Sequence, residues 1–150
     1  MATQTTNERS PVPKWFWILG IIAVLWNLMG LLAYVAQMMM VNSDEMLAAL
    51  PVEQQGIYKS MPTWVTICFT IAVVFGVVGS VLLLMRNKLA VPVLIFSLIS
   101  VLGQYGYMFF MSNTPAVMGA GAMVLPGIVV FISIALVPYA FFCKQRGLLN

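Results

Sequence analysis

Residues 89–143 read LAVPVLIFSLISVLGQYGYMFFMSNTPAVMGAGAMVLPGIVVFISIALVPYAFFC, without one Asp, Glu, Lys, Arg or His. A hydrocarbon core about 30 Å thick is crossed by a helix of roughly 20 apolar residues. This stretch is therefore long enough for two crossings, and Asn113, Pro115 and Gly119 mark the segment Ser112 to Ala120 as the turn between them. Upstream, residues 60–85 and 15–43 are also free of charged side chains, and each fits one further crossing. The sequence predicts an all-α membrane protein with four transmembrane helices, at about 15–41, 62–85, 89–111 and 121–143.

With 150 residues, 62% hydrophobic and 7% charged, the chain has no length left for a water-soluble domain. The expected division is a disordered tail over 1–14, a transmembrane domain over 15–143 with an outer loop at 42–61, and a second tail over 144–150. The net charge of +3 comes from basic residues scattered in pairs at the ends of hydrophobic runs, which argues against a nucleic-acid patch. Arg9 and Lys14, Arg86 and Lys88, and Lys144 and Arg146 fall on one side of a four-span chain, so six of the seven basic residues share it. The positive-inside rule makes that side cytoplasmic and puts both termini there. The first run continues uncharged to Ser43, longer than the apolar core of a signal peptide, so it is expected to be retained.

Within the first span, Gly20, Ala23, Asn27, Gly30, Tyr34 and Gln37 recur at helical spacing and place its small and polar groups on one face. Trp15, Phe16 and Trp17 form an aromatic anchor at its start. In the outer loop, Asn42 and Glu45 have the spacing of a capping box, and a short amphipathic helical segment is expected there, with Pro51 in the first turn of a helix that ends at Gly56. In the second span Ala72, Gly76 and Ser80 repeat every four residues, a ridge that lets two membrane helices approach closely. Ser97, Ser100, Gly103 and Gln104 share a face of the third span, expected to turn toward the polar stripe of the first. Pro126 and Pro138 are each expected to kink the fourth.

No span carries an acidic residue for proton or sodium coupling, and the chain has no histidine. No serine or cysteine in a span has an adjacent base to activate it, so no catalytic residue, no cofactor and no metal site is assigned, and the chain is not read as an enzyme. Most of the twelve methionines fall in the outer half, where thioethers suit either Cu(I) or an adaptable partner surface; without nearby His or Cys the copper reading is the weaker. Cys68 and Cys143 lie at unlike depths and are expected to be free thiols. Trp26, Asn27, Tyr34, Gln37, Gln104 and Tyr105 are the polar and aromatic groups that either bind a neutral solute or bond helix to helix. Ala72, Gly76, Ser80 and Gly103 are the expected packing residues.

Several short patterns occur in order: Pro13-Lys14-Trp15-Phe16-Trp17, Leu25-Trp26-Asn27 with Gly30, Leu50-Pro51 leading to Tyr58 and Pro62-x-Trp64, and Gly76-x-x-Gly79-Ser80 before Arg86. Together they resemble small uncharacterised bacterial four-helix inner-membrane proteins, some provisionally labelled sugar transporter. The resemblance implies a multi-pass protein of the bacterial inner (plasma) membrane and carries no functional residues over. The leading expectation is a non-enzymatic accessory or interaction subunit, a homo-oligomer or part of a larger membrane-protein complex, with the lipid bilayer as its surroundings. The alternative is an oligomeric transporter or facilitator of a neutral small solute such as a sugar.

Overall fold

The computed structural model describes residues 11–150; the proposed disorder of the first ten residues lies outside them. The described residues contain helices and no strand. Four stretches are long and apolar enough to cross a membrane: Lys14–Val41, Thr63–Leu84, Ala90–Met111 and Ala120–Gln145. The first is α1 (Lys14–Val41) and the second α4 (Thr63–Leu84), with α2 (Asp44–Ala48) and α3 (Val52–Lys59) in the connection between them. The third span joins α5 (Ala90–Gly106) to a turn of π-helix over Tyr107–Met111, closed by Ser112 N donating to Tyr107 O at 3.0 Å. A short α6 (Thr114–Met118) follows where a plain turn was expected, and the fourth span begins as 3₁₀-helix at Ala120–Met123 and continues as α7 (Val124–Gln145).

Lipid supplies no hydrophobic drive for helix association, so close packing has to come from small side chains and buried hydrogen bonds. The α4–α5 seam shows both. Ala72, Gly76, Gly79 and Ser80 are buried on α4. A Cβ at Gly79 would lie 2.7 Å from Leu94 Cδ2, and one at Gly76 would overlap Asn27 Oδ1 and approach Ser97 Oγ to 3.3 Å. Ser97 donates to Ala72 O at 2.7 Å, binding α5 directly to α4. Ser80 donates to the carbonyls of Gly76 and Val77 on its own helix, so its hydroxyl is satisfied while its small size admits the neighbour. Gly103 is different: a Cβ there meets Cys68 Sγ at 3.6 Å, an ordinary contact, so close approach does not require glycine at this position.

The polar stripe of α1 packs against α4 rather than α5. A Cβ at Gly20 would lie 2.8 Å from Leu84 Cδ1, Asn27 sits against Gly76, and Tyr34 bonds Thr70 at 2.9 Å. Thr70 already donates to Thr66 O, so Tyr34 is the donor of the pair. The Ser97 and Gln104 face of α5 does turn toward this stripe, across a shared cavity that Asn27 and Gly30 also line, while the packed seams of both helices are with α4. Packing runs from α1 to α4 to α5 to α7, and α1 shares no extended seam with α5 or α7.

The end of the bundle carrying Lys14, Arg86, Lys88 and Lys144 is closed. Phe16, Leu83, Ala90, Val91, Leu94, Ala140 and Cys143 form its core. Trp15 stacks edge-on against Tyr139 with ring centres 6.1 Å apart, and Tyr139 Oη donates to Phe16 O at 3.4 Å, so α1 and α7 meet here. Residues 147–150, expected as a tail, are instead docked into this end, with Leu148 and Leu149 buried. Gly147, at φ +67°, turns the chain back; its N–H donates to Lys144 O, and that of Leu148 to Cys143 O. This is the paired bonding of a Schellman ending. Arg86 holds the returning segment through Nε to Leu148 O at 2.7 Å and through backbone bonding to Asn150, while Lys88 N donates to Asn150 O.

Three local expectations are also corrected. Ser43, not Asn42, caps α2, accepting from Met46 N; Asn42 instead donates its side-chain amide to Met38 O at the end of α1. Pro51 is the residue before α3, and that helix continues past Gly56 to Lys59. Pro126 falls in the first turn of α7, where the missing N–H breaks no helical bond, so only Pro138 lies in the helix interior. Cys68 and Cys143 are free, the former half-buried and the latter buried.

Candidate functional site

Away from the basic end, the four spans surround a cavity of about 240 Å³. The first span contributes Trp26, Asn27, Met29, Gly30 and Ala33, and α4 contributes Phe69, Ala72 and Val73. From α5 come Ser97, Val101, Gln104 and Tyr105, and from α7 Leu125, Pro126, Val129 and Ser133. A smaller recess of about 20 Å³, bounded by Asn27, Leu94, Ser97 and Ser133, continues toward the basic end.

The chain makes this space by the same rules that close the other end. The α4 ridge holds α1 and α5 on either side of it, and α7 packs along α5, touching α1 at the basic end. The gap left between α1 and α7 is spanned by aromatic side chains at Trp15 and Tyr139; farther along, Gly30 and Ala33 interrupt the lining set by Trp26, Asn27 and Met29 and are too small to bridge it. A Cβ at Gly30 would meet nothing within 4 Å. Tyr34 stands outside the cavity; its ring packs edge-on against Phe69 with centres 5.0 Å apart and braces a wall residue.

Of the polar residues singled out in the sequence, the cavity brings together Trp26, Asn27, Gln104 and Tyr105. Tyr34 is committed to Thr70, and Gln37, half-buried near the end of α1, does not line the cavity. The expected packing residue Ala72 also lines it, whereas Gly76, Ser80 and Gly103 do not. Sequence reasoning missed Ser133 as a lining group. Its signal was present, since it is the only serine or amide-bearing residue of the fourth span before Gln145.

The hydrogen-bonding capacity of the wall is small. Asn27 Nδ2 donates to Ala23 O at 2.9 Å. Ser97 donates to Ala72 O, and Ser133 donates to Val129 O at 2.8 Å, so each hydroxyl keeps only acceptor capacity. The Gln104 amide, the Tyr105 hydroxyl and the Trp26 indole N–H form no hydrogen bond among the described residues, and Asn27 keeps its second N–H and its Oδ1. The wall carries no Asp, Glu, Lys or Arg. Among the described residues no group of three or more His, Cys, Asp or Glu is placed to hold a metal ion. This arrangement can bind an uncharged group through a few hydrogen bonds in an otherwise apolar enclosure.

Compared with protein families, curated proteins and solved structures, the chain shows no match.

Proposed function

We propose that this chain is a multi-pass membrane protein that binds one small uncharged molecule, or the uncharged head of a larger one, in the cavity between its spans. It is read as non-enzymatic. The observation that carries the reading is the position of Gln104: a side-chain amide at membrane depth, with no bonding partner among the described residues, on the wall of a preformed space. A polar group in hydrocarbon that stays unpaired costs several kcal/mol, roughly, which favours occupancy of that space by a complementary group.

This reading develops the solute-binding alternative over the interaction-subunit one. The exposed apolar faces, such as Leu32, Phe96 and Phe131, are those any lipid-facing bundle presents, and they carry no separate sign of a protein partner. The basic residues at one end support a bacterial inner-membrane orientation with that end, and so both chain ends, in the cytoplasm.

The test is mild extraction of the parent protein and of Gly30→Leu, followed by mass spectrometry of small molecules that co-purify. Gly30 lines the cavity and a Cβ there meets nothing within 4 Å, so a leucine side chain has room to project into the space and narrow it. The expected result is one neutral species near stoichiometric amount in the parent and its loss in the variant. The same small-molecule content in both preparations contradicts the proposal.

A further inference from the structure

The cavity is open on one side, and that side faces lipid. Met29 of α1 and Leu125 of α7 both line it, yet they are 63% and 64% exposed, so they are its rims and not its interior. They stand on the two helices that share no packed seam. The gap between α1 and α7 therefore joins the cavity to the hydrocarbon.

Resting on the binding reading above, we propose that the occupant is a membrane amphiphile with a single small uncharged head, a hydroxyl or a carbonyl, which enters sideways between α1 and α7. Three observations select this class. The space of about 240 Å³ falls below the roughly 300 to 1,000 Å³ of sites that enclose whole drug-sized ligands, so it holds only a small group, and the side open to lipid leaves room for an apolar chain attached to that group. The uncharged wall offers no counter-ion, and an ion at this depth without one is strongly disfavoured. The wall is apolar apart from Trp26, Asn27, Ser97, Gln104, Tyr105 and Ser133, and the Ser97 and Ser133 hydroxyls already donate to Ala72 O and Val129 O, so the site suits a small uncharged polar head on an apolar body better than a sugar, which is polar over its whole surface.

The experiment uses the full chain in phosphatidylcholine nanodiscs with a diazirine-bearing analogue of 1-hexadecanol, photolysed and mapped by peptide mass spectrometry. Labelling is expected on Trp26, Met29 and the Gln104–Tyr105 segment, with competition by 1-hexadecanol and none by glucose, hexadecanoate or hexadecyltrimethylammonium. Gln104→Leu is expected to weaken apparent affinity roughly fivefold, the effect of one lost hydrogen bond to a neutral group. Gly30→Leu is expected to abolish cavity labelling while keeping the parent's thermal midpoint, which separates a filled site from an unfolded chain. Competition by glucose overturns the ligand class and leaves the cavity reading standing, and stronger competition by either charged amphiphile does the same. Labelling confined to lipid-facing residues such as Leu32 and Phe131, or unchanged in Gly30→Leu, overturns both.

Discussion

The basic end of the bundle and the half beyond it are built from the same kinds of residue and reach opposite outcomes. At the basic end, aromatic rings bridge α1 and α7, and the segment 147–150 folds back to bury Leu148 and Leu149 beneath them. Beyond Asn27 the facing residues of α1 are Met29, Gly30 and Ala33; Met29 stands exposed at the rim, Gly30 and Ala33 are too short to bridge, and a cavity opens. Small residues close a bundle when a neighbour's side chain packs onto them, as Asn27 does at Gly76 and Leu94 at Gly79, and open one when none does, as at Gly30. The share of each span's most apolar window that is buried follows this division: 33% for Thr63–Leu84 in the seam, 6% for the fourth span, which leans on one neighbour.

The contrast can be broken from its strongest side first. Phe16→Ala empties the centre of the closed end and is expected to cost about 3 to 5 kcal/mol, read as a lowered thermal midpoint in mild detergent. Gly79→Val forces methyl groups toward Leu94 and is expected to cost about 1 to 3 kcal/mol by separating α4 from α5. A midpoint equal to that of the parent would show that the seam is looser than described. Arg86→Ala removes the Nε bond to Leu148 O, so amide exchange across Leu148–Asn150 is expected to rise while the spans keep their protection. Arg86, just past the end of α4, also has φ +63°, where a non-glycine residue costs about 1 to 2 kcal/mol, so the anchor offsets a backbone strain that alanine would retain. Tyr34→Phe, which deletes one bond between α1 and α4, is expected to lower stability by only about 0.6 kcal/mol.

How much of this was legible in the sequence follows from what hydrocarbon enforces. Uncharged runs fix the existence of the spans, because a charged side chain is so costly there, and their observed ends differ from the expected ones by a few residues at most. The Ala72, Gly76, Ser80 repeat marked a real packing ridge, but the sequence did not say which helix would use it. That choice is made by complementary shapes, such as Leu94 over Gly79, and shape is not periodic. For the same reason Asn27 and Gln104 were visible as candidates, whereas the cavity joining them was not. Its wall is mainly ordinary apolar residues such as Val73, Val101 and Val129, which become a wall only through the path of α7. The docked segment 147–150 escaped because four short polar and apolar residues after a basic pair read as a tail. What orders them is bonding to Arg86 and Lys88, about sixty positions away.

The account stands or falls on the divergence of α1 and α7 from a closed end to an open one. With Cys68 replaced by alanine and Cys143 left buried, nitroxides on the exposed pair Lys14 and Lys144 report the basic end. A second pair on Met29 and Leu125 reports the rims of the cavity. Electron–electron resonance in nanodiscs is predicted to give a longer mean distance for the rim pair than for the basic-end pair, and a shorter one in neither lipid nor detergent. A rim distance equal to or below that of the basic end would mean that the two helices close along their length, and the cavity with them.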